Sequence, residues 1–426
     1  MRLAIFAMAA ALAATVPLTA EQDHQRILDE LHITTLRPGV DGDARAPNAA
    51  NYDEAKANPA PDLPDPLKLR DGTPVTSRDM WWQHRREEIA TDYEAEVYGK
   101  LPAAAPILKW VVAGTAPETI GKVAATTRHL VAHPGGLSPA AFDITMTVSL
   151  PASAKAPVPV VLLLSGGAKA GRPSTWRAQV LARGWGAAEL DVTSVQPDDG
   201  ADLVKGVIGL VNAGKPRDLH DWGVLRAWAW GASRAMDYFE EDAAIDSAHV
   251  GIAGHSRYGK AALIAMAYDA RYAVAYISSS GAGGAALLRR NFGERIENLA
   301  GTGEYHWFAG EFLQYAGPKT AADLPVDAHE LFALAAPRPI FVGAGAKGDN
   351  WVDPRGMFMA EVAAGPVYAL LGKKGLETAT MPPVGKGLTG GELAFRQHAE
   401  GHTPEPNWPA FLAFAQRYLR PAPKKG

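Results

Sequence analysis

Two hydrophobic patterns divide the chain. Phe142-Asp143-Ile144-Thr145-Met146-Thr147-Val148 alternates apolar and polar positions, the period of a half-buried strand, and residues 107–150 read as antiparallel strands. The character then changes. Val158-Pro159-Val160-Val161-Leu162-Leu163-Leu164 is a continuous apolar run that ends in Ser165-Gly166-Gly167, as a strand buried on both faces requires. Further strands are predicted over 249–253, 272–278 and 339–345, and helices over 222–239, 261–267 and 408–419. Strands that alternate with helices imply an α/β fold with a mainly parallel sheet, whose sites lie at the C-terminal ends of the strands. Upstream, Ser77 caps a predicted helix through Trp81, Trp82, Ile89, Tyr93 and Val97, whose aromatic residues read as packing.

The N-terminal pattern is different. Residues 21–76 are rich in Pro, Ala, Asn and Asp, with Pro59-Ala60-Pro61-Asp62-Leu63-Pro64-Asp65-Pro66 at their centre, and read as an extended arm lying on the domain. Before it, Arg2, the apolar stretch from Leu3 to Val16 and Leu18-Thr19-Ala20 have the form of a secretory signal peptide cleaved after Ala20. The competing reading is a retained anchor, but the run is shorter than the roughly 20 residues a spanning helix needs. The expected layout is a signal peptide at 1–20, the arm at 21–76 and one catalytic domain at 77–426. The expected location is periplasmic or secreted, with no stable membrane association after cleavage.

Composition narrows the partners. With 426 residues, 47% of them apolar and 21% charged, the chain can form one large decorated α/β unit. Its net charge of −4 becomes −5 when Arg2 leaves with the leader, because 41 basic residues then face 46 acidic ones. That balance gives no reason to expect nucleic acid, and a neutral or mildly charged substrate fits better. The absence of cysteine excludes disulfides, a thiol nucleophile and thiolate zinc sites. No cofactor and no metal is expected, and the chain is expected to be a monomer.

The densest chemistry lies in Gly254-His255-Ser256-Arg257-Tyr258-Gly259-Lys260, between a predicted strand and a predicted helix. A serine on such a turn has its hydroxyl lifted clear of the sheet, with backbone N–H groups facing an oxyanion. The general G-x-S-x-G motif is only partly matched, since Tyr258 holds the place of the second glycine. A serine nucleophile also needs a base and an orienting acid. After the strand that ends at Gly345 come Asp349 and Asp353, and His398 and His402 precede the last helix. Asp349 is the candidate acid, while Asp353 before Pro354 reads as a turn former. His402 is preferred to His398 because Gly401 lets the chain bend just before it. His255 is expected to point away from the nucleophile and to be a packing residue. The order Ser256, Asp349, His402 is that of α/β-hydrolases, which places the chain in a three-layer αβα sandwich. Arg257 can put a guanidinium beside the developing oxyanion, and Trp351 offers a flat face to a pyranose ring.

The same run, together with Ser278-Ser279-Ser280-Gly281-Ala282-Gly283-Gly284 and Asp349-Asn350-Trp351-Val352-Asp353-Pro354, resembles the bacterial branch of the glucuronoyl esterases. Asn51-Tyr52-Asp53-Glu54, Glu96-Val97-Tyr98-Gly99, Asp221-Trp222-Gly223, Tyr305-His306-Trp307-Phe308 and Glu400-Gly401-His402 extend the likeness over roughly residues 50–420. The resemblance implies hydrolysis of esters between glucuronic acid side groups of xylan and lignin alcohols. It also implies that Lys260 reaches sugar hydroxyls, and Glu304 is a further candidate for that role. Fungal members carry their acid as Glu where this chain has Ser279, so the carboxylate must come from elsewhere, and Asp349 stands where bacterial relatives have it. The family's sugar-binding glutamine has no clear counterpart. Two other readings stay open: an acetyl esterase or serine peptidase of the same fold, and a carbohydrate-binding protein with a degenerate site.

Overall fold

In the computed structural model, residues 18–58, 62–134, 142–155, 157–167 and 175–420 are described. Their strands are β1 (Trp110–Ile120), β2 (Val123–Ala132), β3 (Ile144–Pro151), β4 (Val158–Ser165), β5 (Gly186–Asp191), β6 (Ile245–His255), β7 (Tyr272–Ser278), β8 (Ile340–Gly345), β9 (Gly387–Leu388) and β10 (Leu393–His398). They form one sheet in the order β1-β2-β3-β5-β4-β6-β7-β8-β10-β9. The run from β5 to β10 is parallel, and antiparallel strands close it on both sides. Parallel strands must be covered on both faces, and β8 is buried along its whole length. Helices Val224–Glu241, Arg257–Tyr268, Ala328–Ala335 and Pro354–Leu370 join the larger core on one face. Trp176–Leu181 and Trp408–Ala415 cover the other, where Trp176, Trp408, Phe411 and Tyr276 interlock. This is the expected three-layer sandwich.

Strands β5 and β10 were not anticipated. Gly186-Ala187-Ala188-Glu189-Leu190-Asp191 and Leu393-Ala394-Phe395-Arg396-Gln397-His398 contain no β-branched residue. Their conformation comes from pairing with β4 and β8, not from local preference.

The arm needs a correction. It begins not in extended chain but with helix Ala20–Glu30, whose Thr19 and Gln22 form a reciprocal capping box. Ile27 and Leu28 are buried in the main core, Tyr305 Oη donates to Asp23 Oδ2 at 3.1 Å, and His24 Nε2 meets the Ala300 carbonyl at 2.8 Å. The prolines that suggested extended chain are concentrated beyond residue 58. Most of the expected signal peptide, residues 1–17, and Pro59-Ala60-Pro61 lie outside the described residues. Among the described residues no helix is long and apolar enough to cross a membrane. Ser77 does cap the helical stretch 78–98, its Oγ accepting from Met80 N at 3.2 Å. Trp81, Ile89, Tyr93 and Val97 face the core, but Trp82 is 49% exposed. Neighbours on a helix point in different directions, and here Trp81 turns inward while Trp82 turns to solvent.

Because the first helix is docked through buried side chains, Ile27→Ala should lower unfolding stability by about 2–5 kcal/mol, the range for a buried aliphatic truncation. Urea denaturation checks this. An unchanged midpoint would show the arm to be loosely laid on the domain.

Candidate active site

The register of the parallel strands gathers the site. Gly254 pairs with Leu164 and Ile277, His255 with Ser278, Ser278 with Gly343, and His398 with Gly345, so the loops after β6, β7, β8 and β10 leave the sheet at one edge. Ser256 sits at the turn from β6 into helix Arg257–Tyr268 with φ +58° and ψ −131°, a conformation L-residues rarely adopt. The turn is tight enough that a Cβ on Gly254 would collide with the Tyr258 carbonyl. The first N–H groups of the following helix have no intrahelical acceptor and face outward from the same turn.

The loops after β7, β8 and β10 converge on Asp349, which is 1% exposed. Its Oδ1 lies 2.7 Å from His402 Nδ1, and its Oδ2 accepts from Ser279 Oγ and Gly345 N–H, both at 2.7 Å. Burial alone would raise the pKa of this carboxyl, but the bonds from His402, Ser279 and Gly345 outweigh burial and hold it below the usual range. Backbone bonds from Ala346 N and Lys347 N to the Glu400 carbonyl tie the acid loop to the histidine loop. A Cβ on Gly345 would strike the Gly401 carbonyl, so glycine is required for this close approach.

His398 has a different task. Its Nε2 meets the Thr403 carbonyl at 2.9 Å and its Nδ1 accepts from Glu400 N–H at 3.2 Å, so both ring nitrogens shape the loop that presents His402. Asp353 caps helix Pro354–Leu370 through Gly356 N and pairs with Arg290 at 2.8 Å. Burial pushes its pKa up to about 6 despite Arg290. His255 packs, as expected, and its neighbour is His402. Its ring centroid lies 4.3 Å from that of His402, and its Nδ1 contacts Ser278 Oγ at 3.1 Å. Burial, reinforced by the neighbouring His402, lowers its pKa to about 3, so His255 is an uncharged ring packed against His402.

A second group flanks the elbow. Lys260, one helical turn after Ser256, is buried, and its Nζ pairs with Glu294 Oε2 at 2.9 Å and with the Ala282 carbonyl. Glu294 Oε1 accepts from Trp351 Nε1 at 3.2 Å. Glu304 is close enough to feel this pair. Burial, then Glu294, raises its pKa to about 7, partly offset by Lys260 and Arg257. Arg257 Nη1 donates to Asp198 Oδ2 at 2.6 Å, and both Arg257 and Lys260 lie 5.5 Å from the Trp307 ring centroid. The arm braces this wall: Gly293 N donates to the Asn51 carbonyl at 3.0 Å, and Arg290 pairs with Glu54 as well as Asp353.

The structure thus joins Asp349 to His402 and places Ser256, Arg257, Lys260, Trp351 and Glu304 around one edge of the sheet. Among the described residues Ser256 Oγ has no hydrogen-bond partner. Sequence reasoning missed Glu294, Asp198 and the hydrogen bond from Ser279. Glu294 carries no periodic or motif signal, whereas Ser279 was marked by standing where a related pattern has a carboxylate.

Comparison with known proteins finds similarity over most of the chain. A family model described as glucuronyl esterase, fungi, matches residues 138–372. Carbohydrate esterase MZ0003 from an unknown prokaryotic organism is 34% identical over 436 residues, covering 92% of this chain and 98% of that protein. The 4-O-methyl-glucuronoyl methylesterase of Schizophyllum commune is 31% identical over 329 residues, 73% of this chain and 74% of that protein. A CE15 glucuronoyl esterase structure from Teredinibacter turnerae superposes with a TM-score of 0.89 at 45% identity, covering 94% of this chain and 99% of that one. The sheet order and the elbow are those of the α/β-hydrolase fold.

Ser279 donates one of three hydrogen bonds to a buried carboxylate, and a bond to a charged group contributes about 1.5–3 kcal/mol. Ser279→Ala should therefore lower unfolding stability by about 1.5–3 kcal/mol and, by loosening the acid, lower kcat for ester hydrolysis by about 10–100-fold. An unchanged kcat would show that Gly345 and His402 suffice to hold the acid.

Proposed function

This chain belongs to the glucuronyl esterase family and is a carboxylic ester hydrolase, and from that premise we propose that it cleaves 4-O-methyl-glucuronate esters linking xylan side groups to lignin alcohols, with Ser256, His402 and Asp349 as its triad. The observation that carries the reading is the 2.7 Å contact between His402 Nδ1 and a carboxylate that is 1% exposed, in a loop bound to the edge where Ser256 adopts its left-handed elbow. With Nδ1–H donated to Asp349, His402 keeps Nε2 as an acceptor directed to the reaction.

In the proposed mechanism Ser256 Oγ attacks the uronate carbonyl as His402 Nε2 takes its proton, and Asp349 stabilises the imidazolium that results. The Arg257 backbone N–H and guanidinium receive the oxyanion, and a charged donor there stabilises it more strongly than a neutral one. His402 then returns the proton to the leaving alcohol, and water repeats the sequence on the acyl-enzyme. The serine–histidine hydrogen bond is one that commonly tightens only when substrate is bound. Lys260, Glu294 and Glu304 offer charge and acceptors to the sugar hydroxyls, and Trp351 a face for the ring. The paired relatives with uronate-ester names support this substrate class. The proposed location is periplasmic or extracellular, and the proposed state is a monomer.

Purified protein should hydrolyse benzyl glucuronate well and acetylated xylan poorly; the reverse preference would make it an acetyl esterase of the same fold. Ser256→Ala should abolish turnover.

Asp349→Asn should lower kcat by about 10²–10⁴, because the amide neither enforces the tautomer nor stabilises the imidazolium. Asp353→Asn should instead lower thermal stability and leave kcat nearly intact, and the opposite ranking would move the acid to Asp353. Trp351→Ala should raise KM for the glucuronate ester on the order of tenfold while barely affecting an aryl acetate, which has no ring to stack.

A further inference from the structure

We propose that Asp198 is the positioning residue for Arg257, holding its guanidinium beside the Ser256 elbow so that the remaining N–H donors are free for the oxyanion. The inference rests on the role given to Arg257 above. Asp198 lies 58 residues upstream of Ser256, outside the elbow motif, and its carboxylate is divided between two tasks. Oδ2 takes Arg257 Nη1 at 2.6 Å, while Oδ1 takes Trp307 Nε1 at 2.6 Å and His306 Nε2 at 3.1 Å. Trp307 and His306 are 5% and 3% exposed, so the carboxylate is fixed from behind by groups that cannot move far.

A guanidinium carries five N–H donors in a rigid plane. The Asp198 contact uses Nη1 and leaves Nε–H and the Nη2 pair unclaimed among the described residues. An arginine side chain that is 45% exposed would otherwise sample many rotamers, and ordering it at the moment of reaction would add to the barrier. Asp198 removes that ordering step before substrate arrives. An ion pair this exposed contributes little to stability, so a purely structural purpose explains poorly why two buried side chains are committed to orienting it. Asp198 is also charged throughout the working range: burial would raise its pKa, but the bonds from His306, Trp307 and Arg257 outweigh burial and hold it at about 2. Trp307 links this device to the sugar wall, since Lys260 lies over the same ring as Arg257.

The test is a double-mutant cycle on the full chain with Asp198→Asn, Arg257→Ala and the double variant, assayed on benzyl glucuronate and an aryl acetate. Asp198→Asn should lower kcat on the order of tenfold for both esters with KM nearly unchanged, and Arg257→Ala on the order of 10²-fold. The double variant should match Arg257→Ala alone, because without the guanidinium there is nothing left to position. Multiplicative losses, a change confined to KM, or an unaffected Asp198→Asn would overturn the role of Asp198 while leaving that of Arg257 standing. An Arg257→Ala enzyme with unimpaired kcat would overturn both. As a second measurement, added guanidinium ion at millimolar concentration should partly restore Arg257→Ala but not the double variant; equal rescue of the two would also count against Asp198.

Discussion

A carboxylate taken out of water must be met by donors, and Asp349 is met by three that arrive from different places in the chain. His402 comes from the loop after β10, Ser279 from the end of β7 and Gly345 from the end of β8. Each bond fixes one loop to the same two oxygen atoms, and an unpaired charge at this depth would be strongly destabilising. The histidine is therefore oriented by the satisfaction of a buried group, and its ring angle follows from the register of three strands. His255 completes the arrangement from the end of β6: being neutral, it packs against His402 without placing a second charge beside it.

The wall beside the elbow follows a related logic with two buried charges of opposite sign. Lys260 and Glu294 satisfy each other, and the Ala282 carbonyl and the Trp351 indole take up their spare positions. Such a pair adds little to stability, since the attraction is spent against desolvation. What it supplies is a rigid polar surface next to an aromatic ring, suited to a hydroxylated substrate. The arm contributes from outside through Asn51 and Glu54, so a segment rich in Pro, Ala, Asn and Asp supports the loop that carries Glu294.

Ser279 supports the buried carboxylate from the neighbouring strand. At a position where the fungal resemblance supplies an acid, this chain has a hydroxyl with positive φ that donates to an acid placed one strand further along. The two positions are brought together by the pairing of β7 with β8.

The amino-acid sequence by itself determined the α/β class, the strands β4, β6, β7 and β8, the turn at Ser256 and the chain order in which Ser256, Asp349 and His402 reach one end of the sheet. These depend on short-range causes: a continuous apolar run must be buried, and a strained turn needs glycine beside it. Strands β5 and β10 were not legible, because alanine-rich and mixed segments become strands only when a neighbour pairs with them. The choice of Asp349 over Asp353 and of His402 over His398 was argued from local bends, but which aspartate meets which histidine was decided by contact across 53 residues of chain. Glu294 and Asp198 were invisible for the same reason. Their partners Lys260 and Arg257 lie 34 and 59 residues away, and a charge selects its partner through space after the backbone has been placed, leaving no period or motif in the chain to mark it.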